Sequence, residues 1–447
     1  MKFGDELCGT ITELDDKGRG VFTYALPQEQ DGLRRVVVPF SAPSDEVTAT
    51  FIKRDQGSWI ARLTNIEQAS KDRVATPCPH AGVCGGCLWQ HLSYDAQLRL
   101  KREQINAAFA RAGFDLRVDD VVPSAQQLFY RNRMDYVIGW QGMVGLKEYG
   151  SWNRYLDLST CLLLDEETPR ILQTVRELIS DLNLAPWDAR KQEGLMRYVV
   201  IRLGRHTQER LIHLVVKDLT KIDEPARKKI RTRLAPLSTS LMLGENPDIT
   251  DLSLSKTLVT LHGPSFLTEE VNGLHYRIHP NSFFQTNTEM AGVLQKTVMD
   301  FIRGRTGILD LYCGLGFLGI ACAKQGATVY GHELDTQAIE LARENAALNG
   351  VQDQMTFGAG AVEDLDWSAL HPEAVIVDPP RAGLHPRALK TLLEKKPPTL
   401  VYVSCNYRRL IEELKTLTTL YHVEQIVALD LFPQTPHVEV IVKLCLI

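Results

Sequence analysis

The chain has 447 residues, of which 44% are hydrophobic and 23% are charged, and its formal net charge is −5 at pH 7. This length predicts two to four domains, and the composition is typical of a globular protein. The start MKFGDELCGT is too acidic for a secretory signal, and no apolar run reaches the roughly 18–20 residues of a membrane span. Nine cysteines in such a chain favour a reducing compartment over disulfide bonds. We therefore expect a cytoplasmic protein that does not span a membrane.

Residues 1–70 contain the short strand patterns CGTITELD, GVFTYAL, RRVVVPF, EVTATFIK and SWIARLTNI, separated by the turn signals DDKGRG, QEQDG and SAPSD. Several short strands with frequent turns are typical of a small β-barrel. We therefore predict an OB-like barrel over residues 1–70. Small barrels of this kind often bind RNA, and a purely structural module fits the same pattern.

The run PCPHAGVCGGCLWQHLSY places Cys78, Cys84 and Cys87 at C-x5-C-x2-C spacing, on a turn that contains two glycines. Short loops of this kind can bring sulfurs together on one metal centre, and a fourth thiol follows at Cys161. Three clustered cysteines and one distant cysteine suit a [4Fe–4S] cluster, whereas a zinc ribbon more often contains a second C-x2-C pair. We predict the cluster, with zinc as the second interpretation and ordinary buried thiols as the third.

A helix is predicted next, over about residues 93–113, from an apolar stripe that ends at a glycine. From about 118 to 270, strand patterns such as RYVVIRLG and ERLIHLVVKDL are mixed with helical ones such as TPRILQTVRELISDL. We interpret residues 71–270 as a central α+β domain around an antiparallel sheet, with its first helix available to pack on the domain that follows. Basic residues gather in QLRLKREQINAAFARAG and LFYRNRMDY, which is compatible with a basic face on an acidic protein.

Over residues 271–447, apolar strands alternate with amphipathic helices, in the order GILDLYC, a helix from about 317, ATVYGHE, TQAIELARENAALNG, MTFGAG, AVIVDPP and LVYVSCN. This alternation indicates an α/β domain with a parallel, doubly wound sheet of Rossmann-like type.

A glycine-bearing turn in ILDLYCGLGFLGIACA joins a strand to a helix, and Glu333 follows 23 positions after Asp310, at the end of the next strand. A strand, a glycine turn and an acid at the second strand end are the ingredients of an adenosine site. The acid before the turn is wrong for the pyrophosphate of a dinucleotide and right for a cationic ligand. S-Adenosylmethionine carries an ammonium and a sulfonium and no phosphate. The pattern therefore favours a methyltransferase over a dehydrogenase.

Two further strand-end segments, VYVSCNYRRL and TPHVEVIVKL, contain Cys405 and Glu439. The carboxyl ends of parallel strands are where α/β folds gather reactive groups. A thiolate and a carboxylate beside a methyl donor suit methylation of carbon 5 of uracil, which needs a nucleophile on carbon 6 and then a base for the carbon-5 proton. The alternative is a core cysteine and an edge glutamate without a chemical role.

The segments CPHAGVCGGCLWQHLSYDAQLRLK, SFFQTN, DLYCGLG, VDPPRAG, SCN and HVEVIVKL together resemble the RNA uracil-5-methyltransferase family, in the branch with an N-terminal TRAM barrel and an iron–sulfur cluster. The resemblance implies Cys405 as nucleophile, Glu439 as proton acceptor, Cys78, Cys84, Cys87 and Cys161 as cluster ligands, and a donor site with Gln285, Tyr312, Gly314, Phe317, Glu333 and Asp378. It also implies that the cluster shapes the RNA-binding region. A radical S-adenosylmethionine enzyme is disfavoured, because that class uses C-x3-C-x2-C.

The chain departs from the family pattern at three positions. Phe317 stands where members usually carry Asn or Thr, Ala361 where Asn or Asp is expected, and Tyr407 where a proline follows SCN. We expect the first two to weaken donor binding without abolishing it, because the acidic residues of the site remain.

We expect a monomeric enzyme that acts on structured RNA, with 23S ribosomal RNA as the first candidate. The target uridine would have to be flipped into the active site. A uridine in the T-loop of tRNA is the second candidate. A third hypothesis, of another class, is an RNA-binding ribosome-assembly factor with vestigial catalysis, and the presence of both Cys405 and Glu439 argues against it.

Overall fold

The computed structural model describes residues 2–26, 32–367 and 369–447. The N-terminal strands are β1 (Glu6–Thr10), β2 (Glu13–Leu14), β3 (Gly20–Ala25), β4 (Leu33–Val38), β5 (Glu46–Asp55) and β6 (Ser58–Gln68). They form one six-stranded sheet in the order β1-β5-β6-β4-β3-β2. Its core contains Leu7, Phe22, Val36, Phe51 and Trp59. The turn expected at residues 28–32 lies outside the described residues, apart from its last glycine.

A second group of elements follows the cysteine loop. These are α1 (Tyr94–Arg111), β7 (Val121–Val122), β8 (Arg133–Ile138), β9 (Val144–Lys147), β10 (Tyr155–Asp157), α2 (Thr168–Asp181), β11 (Met196–Leu203), β12 (Arg210–Val216), α3 (Glu224–Leu234), β13 (Ser240–Glu245) and β14 (Thr257–His262). Seven of the strands form the central sheet, in the order β10-β9-β8-β11-β12-β13-β14. Helices α2 and α3 cover one face of this sheet, because each presents apolar residues at three- and four-residue spacing.

The last group begins with a hairpin and ends in the catalytic part of the chain. Its elements are β15 (Leu267–Val271), β16 (Leu274–Ile278), α4 (Thr288–Phe301), β17 (Gly307–Leu311), α5 (Phe317–Lys324), β18 (Thr328–Glu333), α6 (Thr336–Leu348), β19 (Met355–Ala359), β20 (Ala374–Val377), α7 (Pro386–Lys395), β21 (Thr399–Ser404), α8 (Tyr407–Leu417), β22 (Tyr421–Leu429) and β23 (Glu439–Leu446). The hairpin packs on α4 and α6.

The large sheet has the order β19-β18-β17-β20-β21-β23-β22-β7. Strands β17 to β21 are parallel, whereas β23 runs antiparallel to both of its neighbours. Helices α4, α5 and α6 contribute to the apolar core on one face, and α1, α7 and α8 to that on the other. This arrangement confirms the predicted α/β fold. Strand order reverses beside β17, which is where doubly wound sheets bind ligands.

Helix α1 is attached to the catalytic sheet although it precedes the central sheet in sequence. The ammonium group of Lys101 lies 2.6 Å from a carboxylate oxygen of Asp430, and both side chains are fully buried. Strand β7 extends the same sheet by pairing with β22. Removing one partner of a buried ion pair typically costs about 3–5 kcal/mol, so this contact holds the two parts of the chain together. Within the described residues no helix is both long and apolar enough to cross a membrane.

Candidate active site

The sheet topology brings the predicted nucleophile and base to the same edge. Asp378 follows the carboxyl end of β20 and Cys405 follows that of β21. Because β23 is antiparallel to β21, with Ser404 paired to Val440, its first residue arrives at this carboxyl edge. That residue is Glu439, which is 2% exposed.

Arg381 connects the two predicted catalytic side chains. Its positive charge lowers the pKa of both the Cys405 thiol and the Glu439 carboxyl group, which opposes the effect of burial. The Asn406 side chain donates to the Arg381 carbonyl oxygen at 3.0 Å, and the Arg381 guanidinium lies 3.0 Å from Nδ1 of His437. The sequence analysis did not assign Arg381 to the site, although the VDPPRAG segment contained it.

Burial controls the protonation of this pair. It raises the pKa of the Cys405 thiol, and the neighbouring Glu439 adds to this effect, whereas Arg381 opposes it. Burial also raises the pKa of Glu439 well above its ordinary value, with a further contribution from Asp378. Both groups therefore favour their protonated forms in the free protein, and Arg381 is the charge that favours thiolate and carboxylate.

A separate pocket lies at the carboxyl end of β17. It is lined by Phe283, Phe284, Gln285, Asp310, Tyr312, Cys313, Gly314, Leu315, Phe317, Leu318 and Asp378. Five of these were predicted to contact a methyl donor. The Gln285 side chain donates to Asp378 at 3.4 Å, and Tyr312 has a φ of 60°, which non-glycine residues rarely adopt.

Asp310 is held beside the first turn of α5. The backbone N–H of Gly319 donates to its Oδ2 at 2.9 Å, and a Cβ atom at that glycine would lie 2.9 Å from the same oxygen. The glycine therefore allows the helix to approach the acid closely. Gly316 precedes the helix with a φ of 88°.

Glu333, predicted to contact the donor, ends β18 next to this turn but does not line the pocket. Its carboxylate accepts hydrogen bonds from the backbone N–H groups of Gly314, Leu334 and Asp335, at 3.1, 2.7 and 3.1 Å. These bonds fix the carboxylate and leave it acceptor capacity for the hydroxyls of a ribose.

The three departures from the family pattern lie in different surroundings. The Phe317 ring packs on Tyr276 and Phe284, with centroid distances of 5.5 and 5.4 Å, and gives the pocket an apolar wall. Ala361 does not line the pocket. Tyr407 is buried, and the Arg408 guanidinium lies 4.5 Å from its ring centroid.

A cleft of about 1000 Å³ opens in front of Cys405. Its walls come from the N-terminal sheet, the cysteine loop, the central sheet and the catalytic edge. Its charged lining residues are Lys17, Arg131, Arg133, Lys147, Arg381 and Arg408 on the basic side and Asp16, Asp135, Glu148 and Asp251 on the acidic side. Six basic against four acidic groups leave the cleft positively charged within an acidic chain, which suits a polyanionic ligand.

The four predicted metal ligands, Cys78, Cys84, Cys87 and Cys161, line one further pocket. Burial and the neighbouring thiols raise the pKa of Cys84 to about 11. Among the described residues, the only trio of potential metal ligands whose donor atoms all lie within 4.8 Å is His422, Glu424 and Cys445. No three of the four sulfurs are therefore that close, whereas zinc, at about 2.3 Å from each sulfur, would hold them about 3.8 Å apart. Four thiols around one pocket are the donor set that an iron–sulfur cluster or a zinc ion requires.

Comparison with known proteins identifies the family. The model of the tRNA (Uracil-5-)-methyltransferase family matches residues 264–446. A Pyrococcus horikoshii tRNA (uracil(54)-C(5))-methyltransferase is 36% identical over 98% of this chain and 99% of that protein. The Pyrococcus furiosus enzyme of the same name is 34% identical over 98% of each. The chain belongs to this family.

A solved structure extends the match to three dimensions. The crystal structure of Pyrococcus abyssi tRNA (uracil-54, C5)-methyltransferase in complex with S-adenosyl-L-homocysteine matches with a TM-score of 0.82 and 34% identity, covering 98% of this chain and 99% of that one. The family resemblance inferred from the motifs is confirmed. The protein is an RNA uracil-5-methyltransferase that uses S-adenosylmethionine.

The expectation of 23S ribosomal RNA as substrate is wrong. The similar enzymes from three Pyrococcus species are named for uridine 54 of tRNA. The motifs behind the expectation surround the uracil ring and the methyl donor. Both are the same whether the enzyme methylates ribosomal RNA or tRNA. The choice of RNA depends on surfaces outside those motifs, so the motifs carried no information on it.

Donor binding by this methyltransferase should strengthen as the pH rises towards 7. Burial raises the pKa of Asp310 and of Asp378 to about 7. Below that pH the carboxyl groups are neutral and attract the donor's cationic groups less, whereas above it they are charged. Affinity should therefore rise by up to about tenfold per pH unit for each proton released, and level off above pH 7.

Calorimetry with S-adenosylmethionine, in buffers of different ionisation enthalpy, measures both the affinity and the proton release. Asp310→Asn should remove part of the pH dependence. An affinity that is constant between about pH 5.5 and pH 8 would contradict the prediction.

Proposed function

We propose that this enzyme methylates carbon 5 of a uridine in tRNA, at position 54 as in its named Pyrococcus relatives. The observation that carries this proposal is the match to those enzymes over 98% of the chain, including the parts that form the cleft outside the catalytic sheet.

In the proposed mechanism the Cys405 thiolate adds to carbon 6 of uracil. The new carbon–sulfur bond moves the electrons of the carbon 5–carbon 6 double bond onto an enolate. Carbon 5 then attacks the donor methyl group, so that a carbon–carbon bond forms, the sulfonium–methyl bond breaks and S-adenosylhomocysteine remains. Arg381 supports the first step, since its positive charge lowers the pKa of the thiol and so favours the thiolate.

Glu439 completes the reaction by removing the proton from carbon 5. The electron pair re-forms the ring double bond while the carbon–sulfur bond breaks and returns the thiolate. The electrostatics favour this order. The positive charge of the donor, which lies beside Asp378, lowers the pKa of Glu439 and so helps to ionise it before methyl transfer. Methyl transfer removes the positive charge of the sulfonium. The pKa of Glu439 then rises, which makes its carboxylate a stronger base when it must accept the carbon-5 proton.

The donor would lie in the pocket formed by Gln285, Asp310, Tyr312, Phe317 and Asp378. Glu333, fixed next to the glycine turn, is placed to accept hydrogen bonds from its ribose. The apolar Phe317 wall supplies stacking surface and no hydrogen bond, so we propose that it weakens donor binding without abolishing it.

The RNA would enter the positively charged cleft. We propose that residues 1–70 act as a TRAM-like RNA-binding barrel, residues 71–270 as the central domain, and residues 271–447 as the catalytic domain. Supporting this, Lys17 of the barrel, Arg133 of the central sheet and Arg381 of the catalytic edge line the same cavity. An ion pair between Asp16 and Arg408, at 3.0 Å, joins the barrel to the start of α8, which follows Cys405.

We also propose that Cys78, Cys84, Cys87 and Cys161 hold a [4Fe–4S] cluster with a structural role. Three clustered cysteines and one distant cysteine suit a cuboidal cluster, and Gly85, Gly86 and Leu88 of the same loop line the RNA cleft. A cluster bound there would fix the shape of that wall.

The substrate proposal predicts methylation of a tRNA transcript at one position only. Purified protein, S-adenosylmethionine and an unmodified tRNA transcript should give one 5-methyluridine per molecule, detected by mass spectrometry of nuclease fragments. A transcript with cytidine at position 54 is the matched control and should accept no methyl group. Methylation of ribosomal RNA without methylation of tRNA would refute the proposal.

A further inference from the structure

A further cavity, of about 280 Å³, opens on the central sheet away from Cys405. We call it the flank pocket and define it by Trp140, Tyr155, Asp188, Arg190 and Lys191. Trp140 lies in the turn before β9, Tyr155 begins β10, and the other three lie in the 188–193 hairpin before β11. Nothing in the proposed methyl transfer uses these residues.

The flank pocket combines aromatic surface with a net positive charge, because Arg190 and Lys191 outnumber Asp188. Trp140 is 43% exposed, so its ring is open to a ligand. Arg190 and Lys191 are exposed, and in the part of the chain that the structure describes neither forms an ion pair. The carboxylate of Asp188 accepts the backbone N–H groups of these two residues, at 2.9 and 3.4 Å, and so shapes the turn.

Exposed aromatic rings beside free basic groups are the chemistry that proteins use for unpaired nucleotides. A base stacks on the ring, and the cations hold the neighbouring phosphates. The cavity volume is near the lower end of ordinary small-ligand pockets, about 300 Å³, which suits one nucleotide and excludes a duplex.

The flank pocket adjoins the RNA cleft on the same face of the sheet. Tyr155 packs in one apolar cluster with Val137 and Tyr198, which line the cleft. The Tyr198 hydroxyl donates to Asp251 at 2.8 Å, and both residues line the cleft. Burial and the nearby Asp251 raise the pKa of Tyr155, which agrees with the short separation of the two cavities.

We propose that the flank pocket binds an unpaired nucleobase of the RNA substrate, from a segment outside the stem-loop that carries the target uridine. The base stacks on Trp140, and Arg190 and Lys191 hold its phosphates. The segment differs from the target loop because the flank pocket shares no lining residue with the cleft in which that loop meets Cys405. The inference rests on the proposed function, since it takes the substrate to be a folded tRNA.

The test compares two RNAs, a full-length tRNA transcript and the isolated T-arm stem-loop, by fluorescence anisotropy. Trp140→Ala should weaken binding of the full-length transcript by about 5- to 100-fold, the loss of one stacked base, and leave binding of the stem-loop unchanged. The Arg190→Ala/Lys191→Ala double variant should weaken the same complex. It should also reduce the slope of log affinity against log salt concentration by about 1.4, as expected for two lost phosphate contacts.

Two matched controls separate a site from a general effect. Trp152→Ala removes a tryptophan that is 64% exposed and lies outside the pocket lining. Lys228→Ala/Arg231→Ala removes two exposed cations from α3, on the opposite face of the central sheet. Both should bind the tRNA like the wild type, with an unchanged salt slope.

The outcomes distinguish the two proposals. A wild-type protein that does not bind tRNA overturns both. If the wild type binds and methylates tRNA while Trp140→Ala binds it equally well, the flank pocket is overturned and the tRNA assignment stands. An equal loss for the stem-loop also overturns the inference, because the stacked base would then belong to the target arm.

Discussion

Replacing Cys405 with alanine should abolish methyl transfer while the protein still binds RNA and donor. Without the thiol no bond forms at carbon 6, and carbon 5 is too weak a nucleophile to attack the sulfonium. Removing the nucleophile of a covalent mechanism typically costs at least about 10⁴-fold in rate. A denaturing gel with radiolabelled donor should show neither labelled RNA nor a covalent RNA–protein adduct.

Glu439→Gln should fail at a later step. Glutamine keeps the shape of the side chain but cannot accept the carbon-5 proton, so addition and methyl transfer proceed and elimination stops. The same gel should show a retarded band that contains protein, RNA and the labelled methyl group. The two variants therefore separate a defect before methyl transfer from a defect after it.

Cys445→Ala is the matched control for the thiol. Cys445 lies on β23, the strand of Glu439, but it pairs with Thr399 at the opposite end of β21 from Cys405. This variant should methylate at the wild-type rate. Normal turnover by Cys405→Ala would identify Cys405 as a core thiol and the mechanism as wrong. An unlabelled adduct in Glu439→Gln would show that Glu439 is needed for methyl transfer itself, which would contradict its role as the later base.

The catalytic sheet was predictable because its signals are local. The strand patterns of β17, β18, β20 and β21 are apolar runs that are each followed by a helix, and Gly314, Gly316 and Asp310 stand where a donor-binding turn requires them. Strand ends gather at one edge in any parallel sheet, so Asp378 and Cys405 were expected to be neighbours. Glu439 reaches the edge for a different reason, because β23 is antiparallel and begins there. Alternation of apolar residues contains no information on strand direction.

Contacts between segments that are distant in sequence could not be predicted from the sequence. The approach of Arg381 to Cys405 depends on how the loops after β20 and β21 are placed, and the ion pair between Lys101 and Asp430 joins residues more than three hundred positions apart. The residues that line the flank pocket likewise come from separate turns of the chain. None of these has a periodic pattern, since each depends on tertiary packing alone.

The RNA class was missed for a related reason. The proposed RNA cleft takes its walls from four parts of the chain, and its shape follows from how they are placed. The uracil and donor motifs are confined to the catalytic edge, where tRNA and ribosomal RNA present the same ring. Only similarity over the whole chain, barrel and central sheet included, carries information on the RNA as a whole.

Replacing Cys87 with serine should remove the iron–sulfur cluster and with it most of the affinity for RNA. Protein purified without oxygen should contain about four irons per chain and absorb broadly near 400 nm, as a cuboidal cluster does. The variant should lose the iron, because serine is a poor ligand for it, and the loop that carries Gly85, Gly86 and Leu88 should lose its fixed shape. Since that loop lines the cleft, affinity for tRNA should fall by about tenfold or more.

The donor pocket provides the internal control for this change. It shares no residue with the cysteine loop, so S-adenosylhomocysteine should bind the Cys87→Ser variant as tightly as the wild type. Cys8→Ser, which removes an exposed thiol from β1, should keep its iron and its RNA affinity. A colourless wild-type protein with one zinc per chain would exclude the cluster. If the Cys87→Ser variant lost its iron but bound tRNA as tightly as the wild type, the wall of the cleft would keep its shape without the cluster. The cluster would then have no role in RNA binding.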